Sequence, residues 1–473
     1  MKLVRTVPGR LLLPIAIVVL AALGLTGCHT ALRITTSPAL YPGFHETVFD
    51  YVNRCDPATR TEVRVEAPGG TTVSVAGQRA RSGNFTAKVT QGVGKRFTIA
   101  VTTNSGTTTH HVRCLPQDFP QWSFQRNGTP QAAYYTTVLV QEFNTPAYAV
   151  VFDTNGVPVW WLRDQINALL WTLLPNGHFA TDLVDGAAQE YDTDGAPVRE
   201  LNTVGGPSDF HDIILLPNGN YVLATAQNQA CNLTAWGKPA TSTCINHVFQ
   251  ELTPGGSVVW SWDTAAHIPV TETTTTWRND NSNSQDPHDP WHYNSVEFTG
   301  DGFIISFRHL DAIFKINKAS GAVVWKLGGT HRAESLTVIG DPVFTNGGSF
   351  SGQHDARLKA PDVVSLYDNG SNIRAPRSVA YRIDENADTA TLVHALADSR
   401  FPDSTCCGST RQLPGGDWVT GWGRTNAITE HRNDGQRVIT ITHSGFVYRG
   451  LPVVPGQLDA AVLRAGMDKQ YSK

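Results

Sequence analysis

No basic run interrupts this sequence, and charged side chains make up only 16% of its 473 residues, with a formal net charge of −4. A nucleic-acid partner is therefore not signalled, because neutralising a phosphate backbone takes clustered lysine and arginine. The sequence also lacks a G-x-x-x-x-G-K-[ST] segment, the loop whose backbone N–H groups cradle nucleotide phosphates. Its long apolar run, Leu11 to Leu23, is short for a membrane span, which needs about 20 residues. That run follows Lys2, Arg5 and Arg10 and ends in Leu25-Thr26-Gly27-Cys28, the pattern of an export signal closing on a bacterial lipobox. Residues 1–28 are expected to be a signal peptide, with Cys28 lipidated after cleavage. The protein is then an exported cell-envelope lipoprotein, anchored through Cys28 to the outer face of the bacterial membrane. The alternative is an ordinary secretory signal with a chance cysteine.

With Cys28 set aside, six of the seven cysteines remain, an even number suited to an oxidising compartment. Cys55 and Cys114 bracket the first stretch of the mature chain and are a candidate pair. Cys231 and Cys244 are a second, closing a loop. Cys406 and Cys407 are adjacent, so they either bond to each other or pair elsewhere.

What the chain does have is turn formers, 42 glycines and 27 prolines, which favour many short strands over long helices. Residues 29–115 alternate apolar and polar positions between turn signals ("TEVRVEAPGGTTVSV", "RFTIAVTT"), the period-2 pattern of a small, Ig-like antiparallel β-sandwich. Residues 116–133, which open with "PQDFPQW", read as a linker. Beyond it one signature recurs: "LLPNGHFATD" (Leu173 to Asp182), "LLPNGNYVLAT" (Leu215 to Thr225), "EFTGDGFIISF" (Glu297 to Phe307) and "QLPGGDWVTGW" (Gln412 to Trp422). Each is a hairpin on a tight N-G, D-G or G-G turn, followed by a second hairpin. Four strands per repeat mark a β-propeller blade. A fifth, weaker copy starts at His354, and a sixth joins "YAVVFDTNGVPVWWL" to the C-terminal "GFVYRGLPV", which closes the ring and removes two exposed sheet edges. The expected architecture is all-β, a six-bladed propeller over residues 134–455 with a tail at 456–473.

Three of the repeats open their first strand with a histidine: "FHDIILL", "WHYNSVEF" and "GQHDARL". First strands line the axial channel of a propeller, so His211, His292 and His354 are expected to converge at one mouth. Leu169 and Gly408 occupy the position in two other repeats, so building a blade does not require histidine. Asn294 follows His292 on the same strand face, and Arg308 adds a permanent planar cation suited to an oxyanion. A metal site would want neutral imidazoles without that cation; an anion site is favoured, and neither a metal nor a cofactor is expected.

The ordered set "FHDIILLPNGN", "DPWHYNSVEFTGDGFIISFRHLDAIFKINKASGAVVWKLGG" and "SGQHDARL…LYDNG" closely resembles the bacterial arylsulfotransferases that work without a nucleotide sulfate donor. The likeness extends over about 130–450. It implies a six-bladed propeller behind a small β-domain, and a ping-pong transfer of a sulfuryl group from a phenolic sulfate ester to a phenol acceptor, both small molecules. By resemblance His354 is the nucleophile, while His211, His292, Asn294 and Arg308 hold the sulfuryl oxygens or exchange protons. Trp291, with Tyr293 and Trp277, is a candidate aryl-stacking rim, ordinary packing between blades being the alternative. The Asp/Asn-rich stretch Asn279 to Asp289 is expected to be a solvated loop, a cation loop being the alternative, and His288, His309, His331 and His443 receive no role. Two other readings remain open: a non-catalytic cell-surface propeller for binding or scaffolding, and a quinone-dependent propeller dehydrogenase. Oligomeric state is not legible in the sequence.

Overall fold

The computed structural model describes residues 31–140, 147–164, 169–182, 186–282, 286–371 and 373–472. The signal peptide and Cys28 lie outside the described residues.

Two small sheets build the front domain. Arg33–Ser37, Arg60–Glu66 and Asn84–Thr90 form one; Asp50–Asn53, Gly106–Cys114, Arg96–Thr103 and Thr72–Val75 form the other. Alternate residues of both, Ile34, Val63, Val65, Val73, Ile99 and Val112 among them, share one apolar core, as the period-2 pattern requires. The pairing of Asp50–Asn53 with Gly106–Cys114 is parallel rather than antiparallel. The long stretch of chain between the two strands supplies the crossover that parallel pairing needs. Cys55 is bonded to Cys114.

From Trp122 onward the described chain forms six sheets of four or five strands. The innermost strands are Ile214–Leu215, Tyr293–Phe298, His354–Ala360, Ser409–Gln412 and Gly450–Val453, with Thr172–Leu173 in the sheet before. From Ile214–Leu215 onward they contact one another in that order, as the blades of a β-propeller do. Gly450–Val453, the last strand, pairs with Tyr134–Leu139, the first strand of its sheet in sequence, so the two ends of the propeller chain meet in one blade and cover each other's edge. The expected linker is not all linker: Trp122–Arg126 pairs with Arg437–His443 as a fifth, outer strand. Period-2 reading missed it because "WSFQR" is short and flanked by prolines. A hairpin, Gln227–Cys231 with Ser242–Asn246, extends one blade and carries the Cys231–Cys244 bond.

The "LPNG" turns hold more than backbone. Gly219 adopts φ 84°, a region glycine enters without a Cβ clash, while Asn218 and Asn220 donate to the buried carboxylate of Glu251 on the third strand. Asn176 and Glu190 repeat the arrangement. Such buried glutamates also stitch neighbouring blades, since Tyr221 donates to Glu190 and Tyr135 to Glu430, each at 2.6 Å.

The C-terminal tail is a helix, Ala460–Gln470, capped by Asp459. Its buried Leu463 and Met467 join the core of the first blade, while Arg464 pairs with Asp50 and Asp468 with Arg96 and Arg113 of the front domain. The helix thus ties both domains together. Gly466 makes this approach possible, because a Cβ there would lie 2.0 Å from the Thr193 carbonyl oxygen. Gly466→Ala is expected to cost about 1–3 kcal/mol through that overlap, outweighing the gain in helix propensity of about 1 kcal/mol. A thermal midpoint equal to or above that of the parent protein would contradict it. Among the described residues no helix is long and apolar enough to cross a membrane.

Candidate active site

His211, His292 and His354 converge as the repeat requires. Each stands at or just before the first residue of an inner strand, and two of the three strands are irregular there. The ladder shifts register between Tyr293 and Ser295 and between His354 and Arg357, while His292 and Asp355 hold positive φ of 50° and 61°. A bulge re-aims the side chains around it, and left-handed conformations in non-glycine residues cluster where surrounding structure enforces them for function.

The tautomer of His354 follows from its partners. Nδ1 faces the Gly352 carbonyl oxygen at 2.7 Å and Asn369 Oδ1 at 2.8 Å. The Asn369 amide is oriented by its Nδ2, which donates to Ser404 and the Cys407 carbonyl. Both neighbours of Nδ1 are acceptors, so Nδ1 carries the proton and Nε2 the lone pair. The Cys407 backbone N–H points at that lone pair from 3.1 Å. Burial, then the Arg308 charge, holds the His354 pKa well below its ordinary value, so the ring is neutral across the physiological range. Gly352 makes room for this turn at φ 63°; a Cβ there would sit 2.6 Å from Ser371 Oγ.

His211 and His292 are held alike. Asp209 Oδ1 accepts from both the backbone N–H and Nδ1 of His211, at 2.9 and 2.7 Å. Asp289 accepts from the backbone N–H and Nδ1 of His292, at 2.9 and 2.5 Å. The two rings lie edge to face, 5.1 Å apart, with their Nε2 lone pairs on the side away from the carboxylates. Burial lowers the His292 pKa, and Asp289 only partly offsets this. Burial alone would raise both aspartates, but His211 at Asp209 and His292 at Asp289 hold them ionised. An aspartate two or three residues ahead of each channel histidine is the sequence signal for these pairs.

Arg308 sits in a single turn, Arg308–Leu310, directly after the second strand of its blade. Its guanidinium lies 4.0 Å over the Trp277 ring, donates to His309 Nε2 at 2.8 Å and to the Thr405 carbonyl at 3.1 Å. His309, given no role by the sequence, therefore belongs to the site: its ring is 4.5 Å from His292, and its Nδ1 donates to the Asp289 carbonyl. Asn294 is fully buried and donates to the Gln353 carbonyl just ahead of His354. Cys406 and Cys407 bond to each other in the loop that presents the Cys407 N–H.

The aromatic rim is not where the sequence suggested. Trp291 is 1% exposed, packs in the core between blades and spends its N–H on the Ile268 carbonyl. Tyr293 and Trp277 are buried as well. An aromatic beside histidine reads as a ligand contact, yet strand alternation turns Trp291 inward. Phe210 is instead 40% exposed and stacks on His211 at 4.1 Å.

Asp289, His292 and His309 offer atoms within 4.8 Å of one another, a spacing that an ion could bridge. These atoms already serve each other: Asp289 takes two bonds from His292, and both His309 nitrogens are engaged. With the Arg308 cation adjacent, the donor set suits an oxyanion and repels a metal.

Below the histidines the channel is filled by charge. Asp355 meets Arg357, Arg411 and Arg449; Asp212 meets Arg357 at 2.6 Å and Arg449 at 2.9 Å. Arg449 further donates to the carbonyls of His211 and Asn294. In both His-Asp dipeptides the histidine faces the site and the aspartate faces this arginine cluster.

Comparison with known proteins agrees with the motif reading. The family model Arylsulfotransferase (ASST) matches residues 87–445, well over half of the chain and reaching into the front domain. No curated protein matches the chain. Among solved structures, a protein of unknown function from Bacteroides caccae is 11% identical, with a TM-score of 0.41 over 68% of this chain and 99% of its own. Virginiamycin B lyase from Staphylococcus aureus is 12% identical, with a TM-score of 0.35 over 72% and 91%. The β-propeller domain of Myceliophteria thermophila Cps50 (Swd1) is 10% identical, with a TM-score of 0.36 over 70% and 89%. Likenesses of that size carry no activity across. The family match does: the chain belongs to the arylsulfotransferase family.

Proposed function

We propose that this protein is an aryl-sulfate sulfotransferase that passes a sulfuryl group from a phenolic sulfate ester to a second phenol in two steps through His354. In the first step His354 Nε2 forms a bond to sulfur as the S–O(aryl) bond breaks, and the phenolate departs to be protonated by solvent while the neutral His292 imidazole keeps its Nε2 lone pair. In the second step a phenol gives its proton to that imidazole while its oxygen displaces Nε2 from sulfur. Dividing one transfer into two displacements is the advantage of a covalent nucleophile. Keeping the Nδ1 proton on Asn369 leaves the adduct an imidazolium, a good leaving group for the second displacement. Arg308 and the Cys407 N–H supply the donors for charge that develops on the sulfuryl oxygens.

The observation that carries this reading is the buried, neutral His354, its Nε2 lone pair aimed at a backbone donor and surrounded by one guanidinium and two Asp-backed imidazoles. The test is phenol release from a chromogenic aryl sulfate by the purified protein, with and without a second phenol. Release stimulated by the acceptor supports transfer. Release indifferent to it indicates hydrolysis, and no release from a panel of donors by the folded protein favours a binding module.

Two variants refine the assignment. Arg308→Lys keeps the charge but loses the fork and the seat on Trp277, and kcat is expected to fall about 10²-fold. An unchanged kcat would remove Arg308 from transition-state stabilisation. Phe210→Ala removes the exposed ring beside His211, and KM for the aryl donor is expected to rise about tenfold with kcat little altered. A KM that stays put would place the aryl ring elsewhere. We further assign residues 1–28 to export and Cys28 to lipid anchoring; metabolic labelling with a fatty acid that is lost in Cys28→Ser tests this.

A further inference from the structure

His247 lies outside every motif of the repeat, yet it occupies the space between the two His-Asp pairs. It sits between the strands Ser242–Asn246 and Val248–Leu252 and is 2% exposed. Its Nδ1 donates to the Thr225 carbonyl at 3.1 Å and lies 3.7 Å from Asp209 Oδ2. Its Nε2 lies 3.9 Å from Asp289 Oδ1 and makes no hydrogen bond to any described residue. Both ring nitrogens therefore face acceptors only. A neutral ring with its proton on Nδ1 would turn an Nε2 lone pair toward a buried carboxylate, whereas an imidazolium presents N–H on both sides.

The charge balance points the same way. Asp209 and Asp289 are two buried carboxylates, and burial holds His292, the partner of the second, toward its neutral form. Arg308 supplies one cation at the far side, and a second is needed close by, since an uncompensated buried charge is costly. Around His247 the titratable groups are Asp209 and Asp289, with His211 behind the first and His292 and His309 behind the second, and the Tyr293 ring at 5.7 Å. The two carboxylates outweigh burial and hold its proton affinity above the ordinary histidine value.

We infer that His247 is a charged positioning residue that clamps Asp209 and Asp289 together and thereby orients and tunes His292. The inference rests on the sulfuryl-transfer reading only for its kinetic consequence. In His247→Gln the clamp loses its charge and both carboxylates act fully on their own histidines. The His292 pKa rises, so the unprotonated base survives only at higher pH. The acid limb of the kcat/KM profile is expected to move up by about one pH unit, with kcat reduced about tenfold at neutral pH. A merely structural role would lower activity without moving the limb.

The charge state can be read without activity. Side-chain ¹⁵N spectra of the parent protein at pH 8.5 are expected to show one histidine, of the 16 in the chain, with both ring nitrogens protonated, and its signal to vanish in His247→Gln. Absence of any imidazolium at that pH overturns the inference, as does an acid limb that stays in place in the folded variant. If the parent protein transfers no sulfuryl group, the proposed function falls while the spectrum still decides the clamp. The parent spectrum also decides it if His247→Gln does not fold.

Discussion

His354→Ala is expected to lose sulfuryl transfer by about 10⁴-fold or more, the loss typical of removing a covalent nucleophile, and to leave the fold intact. The ring is small and buried, and its hydrogen bonds end on Gly352, Asn369 and the Cys407 N–H, partners that keep other contacts. Binding should survive the substitution, because Arg308, His211 and His292 remain. The expected signature is therefore an aryl sulfate that binds without turnover, and no ³⁵S retained by the protein after mixing with labelled donor. The parent protein, quenched in the absence of acceptor, should retain one label per chain that is labile to acid, as N-sulfuryl imidazoles are. Label retained by His354→Ala, or turnover within about tenfold of the parent protein, would move the nucleophile to His211 or His292.

Asp355→Ala is expected to produce the largest loss of stability among the charged positions of the channel. Asp355 is fully buried, and its carboxylate is shared by Arg357, Arg411 and Arg449, with the Thr410 N–H as a fourth donor. Removing it leaves Asp212 to hold Arg357 and Arg449, and leaves Arg411 with only the half-buried Glu297 nearby. Breaking a buried ion pair from one side costs about 3–5 kcal/mol, because the orphaned charge stays buried. The loss should reach the site, since Arg449 also holds the carbonyls of His211 and Asn294. Thermal unfolding and kcat are therefore expected to fall together. Adding Arg411→Met to the Asp355→Ala protein removes one of the stranded cations and should recover part of the midpoint. A double variant no more stable than the single one would mean that packing, not charge, dominates the channel.

Much of this site is legible in the residues themselves. The repeat of N-G and G-G hairpins announces blades, the offset of His211, His292 and His354 from their turns places them at one mouth, and the motif series carries the family. Three features escaped. His309 and His247 fall outside the repeated offset and enter the site only through packing, one tilted against His292 and the other wedged between carboxylates. Asp209 and Asp289 precede their histidines by two and three residues, spacings that look like ordinary loop polarity until the bends bring them onto Nδ1. Trp291 was misplaced because adjacency along a strand says nothing about which face a ring takes once a bulge has shifted the register.

Local chemistry thus specifies the strands, the turns and the closing of the ring by both chain ends, since each depends on residue type at a short, repeated spacing. The charge states do not follow from spacing. Whether an imidazole is neutral like His354 or cationic like His247 depends on acceptors and guanidiniums contributed by several blades, tens to hundreds of residues apart. The same holds for the aspartates that follow His211 and His354, which turn to the arginine cluster only because the strand Ser409–Gln412 and the start of the C-terminal strand deliver Arg411 and Arg449 to the axis. Electrostatic work in a buried channel is summed over neighbours in space, and those neighbours exist only after the ring has closed.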